Sequence, residues 1–514
     1  MLLFVEFVLA LSPVIWLVIS LCVLKQEAYV ASLEALLVGV IVAGLYWHMD
    51  GYDVFTAAAE GFLFALWPIV IVIIAAVFTY NVTVHTGAME TIKGMLCGVS
   101  ADRRVLTLLI AWCFGGFLEG MAGFGTAIAI PASMLLALGV DPIEAILACL
   151  IANGMPTMFG SIGIPTTTLA SITGIDAIEL GTVQALQSFP FVVACPFLIV
   201  MLVGHGPRAV KGVLPVTLAA GLSFAIPEVL AAHFIGANLP DVVASVVSLG
   251  VTFAVALGMR RREVPTEQAL DVPAQEGTLT AGEALRAWSP FILVFVVLLL
   301  TSKLFPAIAE PLSSIKTEAV IYSGEGAATL TFTWVNTPGV LIFACGVVGA
   351  LIQGCGPQEI AQVLGQTVQQ MAKTIITMLG VLGVAKIMGY SGMIAAIAAF
   401  FVGTLGGAYP LVAPVLGALG TFVTGSGTSS ELLFGNVQVE AARAIGVDAT
   451  WLAAANSLGT GAGKMLAPQS IAIGTAACGL TGADGQILAR IARYAFGFLV
   501  FMALLVFVGS LMGA

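Results

Sequence analysis

The sequence predicts an all-α polytopic membrane protein of about 12 transmembrane helices plus two re-entrant hairpins, arranged as an inverted repeat. Three observations carry this. Of the 514 residues, 60% are hydrophobic and only 9% charged, whereas a soluble domain is about one quarter charged; lipid can solvate that much apolar side chain and a soluble core has no use for it. Apolar runs of about 20 residues, each long enough to cross a bilayer as a helix, recur along the chain. Two glycine-rich segments, offset by 302 residues, open the same succession of features.

The apolar runs lie near 2–24, 30–47, 62–84, 105–139, 145–170, 183–203, 213–235, 241–258, 288–305, 337–353, 374–406, 407–440, 449–475 and 490–513. The first lacks a basic flank and is too long for the apolar core of a signal peptide, so it reads as a span. The long polar stretch from Arg260 to Ala287 opens on Arg260, Arg261 and Arg262. Basic residues in short loops mark the cytoplasmic side. Residues 259–287 are therefore expected inside, linking an N-terminal half, 1–258, to a C-terminal half, 288–514. The stretch 306–336 balances acids and lysine and reads as an external loop.

The same rule places Lys25, Lys93, Arg103, Arg104, Arg208 and Lys211 inside, and the segment His48 to Glu60 outside with Asp176 and Glu179. These assignments agree only if 105–139 starts and ends in the cytoplasm, as a re-entrant hairpin with its tip near Glu119 to Gly125. With Arg490 and Arg493 inside, 407–446 becomes a second hairpin entering from outside, given that 374–406 crosses once.

Both hairpins belong to the repeat. Gly-Phe-Gly-Thr at 123–126, Gly-Val-Asp at 139–141, Asn153 and Pro165-Thr166-Thr167 match Gly-Ser-Gly-Thr at 425–428, Gly-Val-Asp at 446–448, Asn456 and Pro468-Gln469-Ser470, at offsets of 302, 307, 303 and 303. Gly/Pro-interrupted helices at matching places in two halves point to a transporter binding site. Backbone that leaves a helix inside a membrane must line a cavity or face protein. Glycine permits the tight turns and close approach. Exposed helix N-termini there carry partial positive charge and free N–H groups, suited to a carboxylate. Gly163 and the clustered hydroxyls of Thr166, Thr167, Ser426, Thr428, Ser429, Ser430 and Ser470 are expected at the site, with the amides of Asn153, Asn456 and Gln469.

Charge inside the membrane is costly and functional by default. Glu119 stands by the first tip, and Lys464 is the only charge between 449 and 475. An acid in low dielectric favours its neutral form, which makes Glu119 a candidate proton carrier. Lys464 is expected either to hold a substrate carboxylate or to pair with Glu119. Lys386 can snorkel from its apolar segment.

These residues read as a secondary transporter of a small organic anion, with lipid and a carboxylate as partners. The net charge of -10 leaves no basic surface for nucleic acid. Eight scattered cysteines form no Cys-x-x-Cys pair and read as buried thiols. Gly459 to Lys464 fails as a phosphate-binding loop, because Met465 stands where Ser or Thr is required. No hydrolase constellation appears, so an enzyme or an ATP-driven pump is not expected, and neither a cofactor nor a metal site is indicated.

Phe117-Leu-Glu-Gly-Met-Ala-Gly-Phe-Gly-Thr126, Asn153 with Phe159-Gly-Ser-Ile-Gly-Ile-Pro165, Gly425-Ser-Gly-Thr-Ser-Ser430 and Gly463-Lys-Met-Leu-Ala-Pro-Gln-Ser-Ile-Ala472 resemble the bacterial L-lactate permease family over nearly the whole chain. The resemblance implies a proton-coupled symporter of L-lactate and related 2-hydroxymonocarboxylates such as glycolate. It implies the cytoplasmic (inner) membrane, alternating access and a dimeric scaffold, hence a homodimer. A sodium-coupled carboxylate carrier on the same fold is the alternative. In the family pattern an Asp stands at the position of Gly427 and an Asn at that of Glu431. Glu431, one helical turn on, is expected to take over the acidic, proton-coupling role, with Gly427 leaving space for it; the alternative places Glu431 in solvent at the hairpin's outer end.

Overall fold

The computed structural model describes residues 2–97, 99–123, 125–259, 264–270, 280–302, 304–327, 329–480 and 483–513. The linker arginines Arg260, Arg261 and Arg262, and Phe124 of the first tip, lie outside the described residues. Among these, eleven helices are long and apolar enough to cross a membrane, or 12 if the pair Pro142–Gly154 and Pro156–Thr173, bent by 55°, forms one span. The chain is thus an all-α polytopic membrane protein.

Burial sorts the helices. Arg103–Met121 is wholly buried along its apolar stretch, whereas Asp484–Leu511 is 22% buried. The first is shielded by protein on every side, while the second presents Phe496, Val500, Phe501 and Leu504 outward.

Two helical hairpins fall within 105–139 and 407–446. Hairpin A joins Arg103–Met121 to Thr126–Ala137 through Gly123 and Gly125, at φ 60° and 88°. Hairpin B joins Ala413–Thr424 to Gly427–Ile445 through Gly425, at φ 69°. These left-handed angles suit glycine, which has no Cβ to clash. The repeated Gly-Val-Asp has a physical reason. Gly139 and Gly446 take left-handed conformations past the second arm of each hairpin, the usual helix stop. Asp141 and Asp448 then cap the next helices, accepting from Ile143 N at 3.0 Å and Trp451 N at 2.8 Å.

Three expectations are corrected. Residues 374–406 are not one crossing: Gly392, at φ 93°, ends the 35-residue helix Pro357–Ser391, and Met393–Leu405 is a helix of its own. The count that placed the entry of hairpin B outside therefore loses its premise. Residues 306–336 are not a plain loop, because Lys316–Val320 pairs antiparallel with Thr329–Thr333, with Glu318 opposite Thr331. Threonine and aromatic side chains favour the pleated form, and Ser323 ties the hairpin down through its bond to the Thr56 hydroxyl at 2.8 Å. Lys386 does not snorkel. Its Nζ donates to Glu60 at 2.6 Å, with the Tyr390 hydroxyl at 2.9 Å from the same carboxylate oxygen. Glu60 is 1% exposed, so it is a buried ion-pair partner rather than part of an external acidic loop.

Hairpin B meets Ala449–Leu466 backbone to backbone. A Cβ on Gly417 would sit 1.9 Å from the Asn456 carbonyl oxygen, one on Gly459 1.9 Å from that of Pro414, and one on Gly463 2.2 Å from that of Ala418. Small residues permit such approach between membrane helices. Gly459→Val should destabilise the fold by about 1–3 kcal/mol, the usual cost of overpacking, and lower the melting temperature in detergent. Gly497→Val, which adds its Cβ into open space, should leave that temperature unchanged.

Candidate functional site

A cavity of about 710 Å³ opens where the two hairpin tips meet the two helix breaks. Its walls come from both halves of the chain. In hairpin A a Cβ on Gly123 would lie 2.2 Å from Ser161 Oγ, beyond the break in its own half, and one on Gly125 2.4 Å from Ile473 of the other half. In hairpin B a Cβ on Gly425 would lie 2.1 Å from Gln469 Oε1 of its own half, and one on Gly427 2.9 Å from Thr157 of the other. The first glycine of each tip faces its own break and the second faces the opposite one.

The breaks hold the tips by hydrogen bonds. Ser161, Ile162 and Gly163 all take left-handed angles, with φ 47°, 59° and 69°. That conformation costs a non-glycine residue about 1–3 kcal/mol and clusters at functional sites. It brings Ser161 Oγ to donate to the Ala122 carbonyl at 3.1 Å. In the other half Lys464 Nζ donates to the Gly425 carbonyl at 2.9 Å.

Lys464 makes no ion pair among the described residues, so the expected partnership with Glu119 is not formed. Its ammonium keeps donors free beside the cavity it lines. The N-termini of Gly427–Ile445 and Pro468–Ala477 line the same cavity, with Ser429 Oγ buried and unpartnered. Ser426 caps the first of these helices, accepting from Ser429 N at 3.3 Å. An ammonium, two helix N-termini and a free hydroxyl converge there, all groups of the kind that suit a carboxylate.

Glu119 lines the same cavity and is 4% exposed. Asn153 Nδ2 donates to its Oε2 at 2.7 Å. Gly160 makes room for it, since a Cβ there would sit 2.8 Å from Oε1. The second half repeats the pairing: Asn456 Nδ2 donates to Glu431 Oε2 at 2.9 Å, while Gln438 Nε2 holds Asn456 Oδ1 at 3.2 Å. Each repeat asparagine thus secures the glutamate of its own hairpin.

Of the residues expected at the site, Glu119, Ser426, Thr428, Ser429, Lys464, Gln469 and Ser470 line the cavity. The others stand behind it. Thr166 Oγ1 bonds the Met158 carbonyl and Gln184, Thr167 turns back on the Gly163 carbonyl, and Ser430 bonds the Gly417 carbonyl. Hydroxyls one turn inside a helix reach a local carbonyl before they reach a ligand. Gly163 serves packing, as a Cβ would lie 2.0 Å from the Ala237 carbonyl oxygen. Asn153 and Asn456 do not both border a break. Their helices touch at Gly154 and Gly461, and Asn456 lies eleven residues before the break at Ala467. Glu431 is 0% exposed, which rules out the solvent placement. Gly427 does not leave space for it, because Thr157 and Pro165 occupy that side. Thr157, Gly160 and Ser161 also line the cavity; only their place in the glycine-rich run before Pro165 hinted at this.

A larger cavity of about 1040 Å³ lies between Ala177–Val203 and Asp484–Leu511. Its walls are apolar faces with few donors, so the chemistry resides in the smaller one.

Broken helices from two halves of a polytopic chain, closing on one shared polar cavity, define a membrane transport protein. The chain belongs to the L-lactate permease family, whose model matches residues 6–512. It is 43% identical over 447 residues to an L-lactate permease of Streptococcus iniae, covering 87% of this chain and 93% of that one. It is 34% identical over 510 residues to an L-lactate permease of Escherichia coli K12, and 34% over 513 residues to the glycolate permease GlcA of the same organism, each time with 93% of this chain and 91% of the relative covered. Among solved structures it shares its fold with the YdaH transporter of Alcanivorax borkumensis, at a TM-score of 0.50 and 16% identity over 90% of this chain and 88% of that one. The efflux pump MtrF of Neisseria gonorrhoeae gives 0.50 and 12% over 97% of both. The protein is accordingly a multi-pass permease of the bacterial cytoplasmic membrane.

The acid–amide pairs predict coupling. Asn456→Ala and Glu431→Ala should each lower stability by about 1–3 kcal/mol, the cost of an orphaned buried partner. The double variant should lose less than the sum, as read in a thermal double-mutant cycle. Gly427→Asp should reduce the yield of folded protein, because its side chain meets Thr157 and Pro165.

Proposed function

We propose that the chain is a proton-coupled symporter of L-lactate and related 2-hydroxymonocarboxylates such as glycolate, working by alternating access. The observation that carries this reading is the unpaired Lys464 ammonium beside two helix N-termini, facing a buried carboxyl across one cavity. The substrate carboxylate sits between Lys464 Nζ and the N-terminus at Gly427. Its 2-hydroxyl finds partners in Ser429, Gln469 and Ser470. Glu119 takes the proton; the Asn153 amide donates to its carboxylate and so steadies the charged state. Neutralised Glu119 and the Lys464–carboxylate pair leave the loaded cavity with little net charge, which lowers the cost of carrying it through low dielectric. Hairpins A and B move with their broken helices against the surrounding helices. The E. coli relatives that carry the names lactate and glycolate permease support the substrate class.

Lys464→Ala should abolish the thermal stabilisation that lactate confers on the purified protein. Lys464→Arg should weaken it, since a planar guanidinium needs more room than a compact ammonium. Stabilisation undiminished in Lys464→Ala would remove this lysine from the site. In sodium-free proteoliposomes, Glu119→Gln should retain lactate counterflow and lose accumulation driven by an inward proton gradient. Glutamine resembles the protonated acid but releases no proton.

A further inference from the structure

Two further acids lie deep in the protein, outside the cavity. Glu228 of Leu214–Phe234 is 0% exposed and Asp241 of Pro240–Met259 is 1% exposed. All four of their carboxylate oxygens lack a hydrogen-bond partner. The two helices pack on each other, and Pro240–Met259 packs on the first arm of hairpin A. Asp241 reaches Gly120, the residue after Glu119: a Cβ there would lie 3.1 Å from Asp241 Oδ2. Glu119 and Glu228 are the charged neighbours of Asp241.

No lysine or arginine occurs in 105–121, 177–203 or 214–259. The other titratable groups on these elements are occupied or distant. Cys113 bonds Ser248 and Thr252, Cys195 points at the Ile151 carbonyl, Glu179 bonds Thr450, and His233 faces outward. Asp241 by itself fits a helix N-terminus, but Glu228 is in mid-helix with no donor at all. An ionised carboxylate buried without a partner costs several kcal/mol, a cost that a bound proton removes. Protonatable side chains in series within a membrane protein mark proton pathways.

We propose that Glu228 and Asp241 form, with Glu119, a line of three protonatable carboxyls that delivers the coupling proton to the cavity by a route separate from that of the substrate. The inference rests on the proton-coupled reading above. Both acids lie toward the 235–239 connection, the end opposite Arg208 and Lys211, hence the external end by the positive-inside rule. At rest each acid holds a proton. When Glu119 gives its proton to the cavity, the Asp241 acid reprotonates it and is left ionised; the Glu228 acid then reprotonates Asp241, and a proton from the external side restores Glu228. Each hop moves one proton and regenerates one carboxylate. Asp241 and Glu228 touch no substrate, so exchange that moves no net protons does not need them.

The test uses the full chain in proteoliposomes. Asp241→Asn and Glu228→Gln, which keep side-chain shape, should retain lactate counterflow at the wild-type rate and lose accumulation driven by an inward proton gradient. Asp241→Glu should recover part of it, as a purely structural carboxyl would not. Infrared difference spectra of the substrate-free protein, titrated with pH, should show a protonated-carboxyl stretch that weakens in each variant. Full proton-driven accumulation in both variants would overturn the relay, and so would an unchanged infrared band. Absence of lactate counterflow in the wild-type protein would instead sink the substrate reading, while the infrared titration would still decide whether these acids hold protons.

Discussion

A backbone that leaves its helix inside a membrane cannot turn to water for hydrogen bonds, and the architecture answers to that constraint. Four interruptions meet at one place: the tips at Gly123–Gly125 and Gly425–Ser426, and the breaks near Gly160 and Ala467. Each needs partners, and the nearest are the other interruptions. Ser161 serves the carbonyl of Ala122 and Lys464 that of Gly425. The donors left over at these ends face a common cavity. A polar cavity is therefore a by-product of placing four helix ends together, refined by the side chains that line it.

The same constraint explains the acid–amide pairs. A glutamate in hairpin A and another in hairpin B are each held by an asparagine of the next helix, at 2.7 Å and 2.9 Å. The pairing is similar but its setting differs. Glu119 lines the cavity. Glu431 is sealed behind the tip with Gln438 and Tyr409, whose hydroxyl bonds Gln438 at 2.8 Å. The halves are thus alike in construction and unlike in exposure. That asymmetry leaves one acid beside the cavity while the other fixes hairpin B against Ala449–Leu466.

Much of this was legible in the sequence, though unevenly. The places of the two tight turns followed from glycine spacing, which reflects local backbone chemistry, whereas the charge count behind hairpin B failed once Gly392 divided 374–406 into two helices. Gly-Val-Asp at 139–141 and 446–448 proved to be a helix stop and a cap, which any chain of that sequence favours. The hydroxyl clusters misled in part. Thr166, Thr167 and Ser430 match the ligand-facing residues in type, but each spends its hydroxyl on a backbone carbonyl: Thr166 on Met158, Thr167 on Gly163, and Ser430 on Gly417 across the hairpin. Glu60 and Asp241 are not legible as buried charges because they sit at apparent span ends, whereas Glu228 lies well inside the run 213–235 and answers to the same rule that singled out Glu119. Sequence alone does not distinguish an acid at the interface from one covered by a neighbouring helix.

The sequence by itself determined what depends on residue type and near neighbours: membrane residence, helix positions, the two hairpins, the repeated asparagines and the family to which they belong. Only the tertiary structure decided which side chains of distant segments share a cavity, that Lys464 grips Gly425 instead of Glu119, that Lys386 pairs with Glu60, and that Thr157 fills the space beside Gly427. The physical reason is reach. Helical periodicity and capping act over about one turn, whereas a contact across some 300 residues of chain depends on how the helices pack, which no local pattern encodes.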